Sequence, residues 1–473
     1  MSAPRDRPGV EVVDRSLLPE RLVHWIEHAL GGPIERIEPR AGGGAVREGA
    51  AVDVRTRDGG LRACFLVYAR NRTSTRGLGS DAHYQREGSL LTALNDRELR
   101  TPRLIAYSVE QRALLFEFVE GETLFSRISD PGERQRVAFD FVRELGKLHA
   151  LDPETLELEG FGPQQPVEHT LRERLAVLER EHLEGGLPDP LIVFGLDWLR
   201  RNVPAYDGPP VIVHGDAGPA NFLHQDGRVT VLLDWELAHL GDPLEDFAWI
   251  SIRSLFQPFV ALPALFAEYE NATGTPVELA RVRFYRLYCL LQLIVGSHRT
   301  WVQQPESIVE LGGAVGTAMG YSMLHKRVFV EELAQAMDVE LEECTLPEAE
   351  RSAAAPYFEV ALGEIRDVIV PRSHDQVVVH RAKGLARLIK YLQSREESGA
   401  AFAEDELRDL AAVLGTPPAS VDAGRLALVE RIGAGSIEAA TALGAIHRRT
   451  LRETSILAAS MGALADRHYP PLD

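Results

Sequence analysis

The sequence predicts an α+β fold, and three observations predict it. Short apolar runs separated by glycine turns crowd residues 30–120, which reads as an antiparallel sheet. From Gly132 onward apolar residues recur at three and four, the period of helices. The length of 473 residues exceeds one typical core, so two or three domains are expected.

The elements follow in order. Residues 1–15 are polar, and residues 17–30 carry helical periodicity that stops at Gly31-Gly32-Pro33. Residues 34–39 read as a first strand and 51–56 as a second. Between them Gly42-Gly43-Gly44 has the shape of a nucleotide-covering loop, because glycine lets backbone N–H groups approach phosphate. After the Asp58-Gly59-Gly60 turn, residues 61–70 form a third strand. A helix over 85–94 precedes a strand pair around 104–106 and 114–119. Helices are then expected over 137–148, 171–181, 191–202, 247–255, 262–273, 277–297 and 306–339.

The chemistry concentrates between Val211 and Ile250. Two apolar runs, at 211–213 and 229–233, each lead into a polar cluster. The first is His214-Gly215-Asp216, with Asn221 five residues past the aspartate; the second is Asp234-Trp235-Glu236. Gln225-Asp226-Gly227-Arg228 reads as a hairpin turn, which brings Asn221 and Asp234 near Asp216. Two carboxylates and an amide on one site supply the hard oxygens that Mg²⁺ and a hydroxyl nucleophile need in phosphoryl transfer.

With HGD, the spaced Asn, DWE and GDPLEDFAW in order, the stretch resembles the aminoglycoside phosphotransferase and choline kinase family. The resemblance implies a protein-kinase-like bilobal fold: a small nucleotide-binding lobe over 30–120 and a helical catalytic lobe over 121–345. It implies that Asp216 positions the acceptor hydroxyl, and that Asn221 and Asp234 hold Mg²⁺. His214 and Asp246 become structural supports. Gly43 and Gly44 resemble the family's phosphate loop, with Val46 where a small polar residue is common. Residues 116–121, with Glu117 and Val119, resemble its lobe-connecting hinge, where backbone groups meet the adenine edge. The third strand of such folds carries a basic residue that binds phosphates and is braced by a helical Glu. The four lysines are Lys147, Lys326, Lys383 and Lys390, so none lies in the small lobe. Arg70 is the candidate, braced by Glu87; Arg62 is the second choice. Acceptor pockets of the family lie among the later helices, which makes Trp249, Arg253, His298, Arg299 and Trp301 candidates for its wall.

Residues 345–356, small and polar with proline near both ends, read as a linker. Residues 357–473 read as an all-helical domain with helices at 357–370, 377–393, 405–414, 423–432 and 437–464. This part resembles helical domains appended to phosphotransferase-like proteins, and its helices allow an oligomer. Net charge of −19 argues against a nucleic-acid partner, since a polyanion is repelled overall. The N-terminus lacks a signal-peptide core and no apolar run of ~18 residues occurs, so no membrane span and a cytoplasmic location are expected. Cys64, Cys289 and Cys344 are too scattered for a disulfide framework.

The expected activity is transfer of the γ-phosphate of ATP or GTP, with Mg²⁺, to a hydroxyl of a small molecule. A non-catalytic nucleotide-binding scaffold is the alternative, resting on the missing small-lobe lysine and the added helical domain. Protein kinase activity is disfavoured, because HRD, DFG and APE segments are absent.

Overall fold

A computed structural model describes residues 14–40, 47–69 and 80–472. The glycine loop with Gly43 and Gly44, and Arg70, lie outside the described residues. The chain divides into two compact units. The first gathers Met1–Gln165, Pro210–Asp246 and Phe259–Thr275; the second gathers Pro166–Pro209, Phe247–Pro258 and Pro276–Asp473.

The first unit begins with α1 (Glu20–Leu30), ended by Gly31 at φ +75°, a left-handed stop that suits glycine. Strands β1 (Ile34–Arg40), β2 (Arg47–Arg55) and β3 (Leu61–Ala69) follow, then α2 (Asp81–Leu94), β4 (Leu104–Ser108) and β5 (Ala113–Glu117). They form a five-stranded antiparallel sheet in the order β1-β2-β3-β5-β4. Strand alternation gives it two different faces. On one face Val52, Val54, Cys64 and Leu66 pack against Leu22, Val23 and Ile26 of α1. Each fully buried Leu or Val there is worth about 1.5–3 kcal/mol. The opposite face presents Arg47, Phe65 and Val67 to a cavity.

Helix α3 (Pro131–His149) starts six residues earlier than the apolar period suggests. Asp130 caps it and proline occupies its first turn, both favoured at helix starts. Helices α4 (Val167–Glu184) and α5 (Pro190–Arg201) belong to the second unit. The chain then returns to the first unit through β6 (Val211–Val213), β7 (Phe222–Gln225), β8 (Arg228–Leu232) and β9 (His239–Gly241). Strands β7 and β8 form the expected hairpin, and Asp226 and Gly227 turn it with φ of 51° and 74°. Strand β6 pairs with β9. Helix α6 (Leu244–Ser254) starts in the first unit and continues in the second, while α7 (Leu262–Thr273) packs on α3.

The second unit continues with α8 (Leu279–His298), α9 (Ile308–Leu311) and α10 (Val315–Ala336). It ends with α11 (Ala355–Glu364), α12 (Val370–Arg372), α13 (Gln376–Leu414), α14 (Val421–Gly433) and α15 (Ala439–Met461). Two sequence readings are corrected here. The helices expected at 377–393 and 405–414 are one helix of 39 residues. The intervening SREESGAAFAE is rich in helix formers, and its single glycine costs only about 1 kcal/mol. The helix expected over 306–339 is instead broken at Gly312-Gly313 and resumes at Val315. No helix among the described residues is long and apolar enough to cross a membrane.

Candidate active site

The polar cluster after β6 is fixed by a buried carboxylate. Asp246 is fully buried at the start of α6. It accepts from the backbone N–H of His214 and of Gly215, both at 2.9 Å, and meets His149 Nε2 at 3.0 Å. His149 Nδ1 in turn faces the Tyr269 hydroxyl at 2.8 Å. Gly215 sits at φ +80°, and a Cβ there would lie 2.3 Å from the Leu237 carbonyl oxygen, so only glycine fits. His214 is buried, its ring 4.7 Å from that of Trp235. Its Nε2 lies 2.8 Å from the Leu233 carbonyl, which can only accept, so Nε2 carries the proton. The bare Nδ1 then accepts from the Asp216 N–H at 3.3 Å. Both groups thus have the geometry of supports that shape the loop carrying Asp216.

Asn221 links Asp216 to Asp234. Its side-chain Nδ2 donates to Asp216 Oδ2 at 2.7 Å and to the Asp216 carbonyl at 2.8 Å. Its own carbonyl accepts from Leu233 N–H at 2.8 Å, one residue before Asp234. Asp234 adopts the left-handed region at φ 66°, which aspartate tolerates better than most residues. The hairpin therefore gathers the three residues as the sequence spacing suggests.

The cation of this site is Arg47, the first residue of β2 and only 3% exposed. Three carboxylates surround it: Glu87 at 2.7 Å, Asp234 at 3.2 Å and Glu236 at 2.5 Å. Burial alone would lower its pKa, yet Glu87, Glu236 and Asp234 together hold it above the ordinary value. Its Nε is buried and has no hydrogen-bond partner among the described residues. Glu87, read as the brace of Arg70, bonds Arg47 and lies 3.4 Å from His83. Burial would raise the Glu87 carboxyl, but Arg47 and His83 outweigh it and keep it low. Glu236 goes the other way. Burial pushes it up to about 7, and Asp234, Glu87 and Asp216 add to the rise against the pull of Arg47. Arg62 pairs with Glu117 at 2.5 Å in a half-exposed bridge.

A cavity of about 400 Å³ runs between the sheet and the β7-β8 hairpin, within the size range of small-molecule sites. Phe65, Val67, Leu91, Phe116 and Leu223 make one part of it apolar. Arg47, Glu87, Asn221 and Asp234 make another part polar, and residues 117–119, the stretch read as a hinge, complete the wall. Such a slot can take a flat ring against its apolar wall and charged groups at its polar end. Among the acceptor-wall candidates, Trp249 is buried in α6, Arg299 is exposed, and His298 and Trp301 line a separate cavity of the second unit.

Sequence reasoning missed Arg47 and gave Glu236 no role. The signal for Arg47 was faint. Val52 and Val54 face the core, so alternation places 47, 49, 51 and 53 on the opposite face, provided the strand runs back through Gly49.

Curated relatives match part of the chain. Human acyl-CoA dehydrogenase family member 11 is 27% identical over 228 residues, covering 46% of this chain and 29% of the relative. The Pongo abelii protein of the same name is 25% identical over 253 residues, covering 51% of this chain and 32% of its own. The chain spans about a third of the length of these relatives. Among solved structures, macrolide 2′-phosphotransferase from Brachybacterium faecium is 20% identical, with a TM-score of 0.43 over 61% of this chain and 94% of that one. The gentamicin complex of the phosphotransferase APH(2″)-IIa is 13% identical, with a TM-score of 0.47 over 62% of this chain and 96% of that one. The sequence model of the phosphotransferase enzyme family matches residues 59–285, which span β3 to α8 and hold the HGD loop, the hairpin and Asp234. Residues 59–285 thus match the phosphotransferase enzyme family, within a chain of α+β fold that has a helical C-terminal region.

Proposed function

We propose that the chain transfers the γ-phosphate of ATP or GTP to a hydroxyl of a small molecule. One observation carries the reading: Asn221 bonds Asp216 with its side chain and Leu233, beside Asp234, with its carbonyl. That arrangement supports reading Asp216 as the acceptor-orienting carboxylate and Asn221 with Asp234 as ligands of a cation. Asp216 orients the hydroxyl and accepts its proton late in transfer.

Asn221 and Asp234 line the polar part of the cavity and suit Mg²⁺, which takes one or two protein oxygens and completes its shell with phosphate and water. Bound there, the ion supplies positive charge to the phosphates. The site fits this need, because Arg47 is outnumbered by carboxylates. Arg47 also offers its buried Nε–H to a phosphate oxygen, the role expected of Arg70. The apolar wall with Phe65, Val67 and Leu223 holds the base, against the backbone of residues 117–119.

The test is turnover of γ-labelled nucleotide against a library of hydroxyl compounds, with Asp216→Asn alongside. The substitution keeps the shape and removes the acceptor charge, so kcat should fall on the order of 10²-fold or more while nucleotide still binds. Unchanged turnover rejects the role of Asp216. A second reading rests on the Arg47–Asp234 pair, which puts a cation on the carboxylate assigned to metal. A nucleotide-binding scaffold predicts binding with no transfer to any compound.

A further inference from the structure

The second unit contains a larger cavity, of about 680 Å³, among α10, α13, α14 and α15. Its two long walls change character along their length. On α10 the lining residues run Val315, Met319, Met323, Lys326, at spacings that keep them on one face. On α15 they run Arg449, Arg452, Glu453, Ile456, Leu457, again one face. The helices are antiparallel here: Lys326 pairs with Glu453, while Gly320 lies against Met461. Both walls are therefore charged at the same end and apolar at the other. Leu388 of α13 extends the apolar part.

The polar lining combines cations and carboxylates, and its cations keep donors that the carboxylates leave unused. Lys326, Arg395, Arg425, Arg449 and Arg452 line the cavity with Asp189, Glu406 and Glu453. Those carboxylates already have cationic partners. Asp189 bonds Arg449 at 2.8 Å and caps α5; Glu453 bonds Arg449 at 2.8 Å and Lys326 at 3.3 Å; Glu406 takes both nitrogens of Arg425. Donors remain. Arg452 is fixed from behind by Asp405 and Asp409, yet its buried Nη1 has no partner among the described residues. Lys326 has three N–H groups and, among the described residues, one ion-pair partner, Glu453. Arg395 meets only the Tyr391 hydroxyl, at 3.5 Å, among the described residues. A buried donor left without an acceptor is destabilising, and an anionic ligand removes that cost.

We propose that this cavity binds an amphipathic anion, with its carboxylate or phosphate head at Lys326 and Arg452 and its apolar body between Met319, Met323, Leu388 and Leu457. The site goes beyond phosphoryl transfer and uses none of its residues. Overall charge disfavours any anion, at −19, so binding reports the local field of the cavity.

Calorimetric titration of the full chain with decanoate and with decyl phosphate, both below micelle formation, tests it. Decyltrimethylammonium and 1-decanol serve as controls for charge and apolar contact. Saturable binding of at least one anion, with at least about tenfold weaker binding of both controls, is expected. The arm that binds more tightly identifies the head group. Lys326→Met should weaken the anion at least about tenfold, and Glu453 keeps Arg449, so the fold has no reason to fail. Met319→Trp, which fills the apolar part, should abolish binding. Asp216→Asn should bind the anion as the natural chain does, so that loss of phosphoryl transfer and loss of this site are read separately. Equal binding of the ammonium probe, no binding of either anion, or no effect of both Lys326→Met and Met319→Trp overturns the proposal.

Discussion

The cavity under the sheet and the cavity among the C-terminal helices use the same charged residue types in opposite proportion. In the first, Arg47 stands among Glu87, Asp234 and Glu236. In the second, Lys326 and four arginines stand among Asp189, Glu406 and Glu453. A surplus of carboxylate calls for a cation, and a buried donor without an acceptor, as at Arg452 Nη1, calls for an anion. The difference also shows in the carboxyl pKa values. Burial and neighbouring carboxylates push Glu236 up to about 7. Burial likewise opposes ionisation of Glu453, but Arg449, Lys326 and Arg425 overcome it and hold that carboxyl at about 2. Neither depth nor residue type sets the ligand; the local balance does.

The largest effect should come from removing Arg47 from the first cavity. Arg47→Met leaves three carboxylates facing one another in a buried site. Breaking a buried ion pair from one side costs about 3–5 kcal/mol, because the remaining charge is uncompensated. Urea denaturation should show that loss. The double variant with Glu87→Gln should recover part of it, since the pair is coupled. A loss under about 1 kcal/mol for Arg47→Met would show that Arg47 is no clamp.

Next in size is the metal. Asp234→Ala should reduce Mg²⁺-dependent nucleotide affinity on the order of 10–100-fold, the scale seen even for groups that only support a metal ligand. Nucleotide affinity with Mg²⁺ and with EDTA should differ for the natural chain and converge for the variant. If the natural chain shows no difference, Asp234 holds no metal.

How far the sequence displayed this contrast depends on how local each part is. Asp216, Asn221 and Asp234 flank one short hairpin, so spacing alone suggested that they meet. Arg47 was hidden for two reasons. Its strand begins beyond Gly49 rather than at Ala51, and its partners come from α2 and the segment after β8, far along the chain. The second cavity was less legible still. Its walls need α10, α13, α14 and α15 together, and no periodicity of one helix states which neighbour it faces. The long α13 was missed because Gly399 and a run of small residues weakened its apolar stripe, although propensity favours helix throughout. His298 and Trp301 were read as pocket residues, and they line a cavity whose charged groups are scattered from Asp189 to Glu453.

The smallest predicted effect separates the two cavities by pH. Glu236 has a folded pKa of about 7 against an ordinary 4.5. Between those values the folded chain holds a proton that the unfolded chain has released. Stability therefore falls as pH rises through this window, and the cost is fully present above about pH 7. Glutamine does not titrate. In EDTA and without nucleotide, the stability of Glu236→Gln relative to the natural chain should rise between pH 5 and pH 8, by on the order of 1–3 kcal/mol. Glu453 behaves oppositely. Its pKa is depressed, so the stability it contributes is present above its ordinary value and is lost only as pH falls toward 2. Glu453→Gln should therefore cost stability by nearly the same amount at pH 6 and at pH 8. Chemical denaturation of both variants at pH 5, 6, 7 and 8 measures the two slopes. Parallel, pH-independent differences for both would show that the two cavities do not differ in charge balance. A slope for Glu236→Gln that Mg²⁺ and nucleotide abolish would tie the carboxylate surplus directly to the cation it serves.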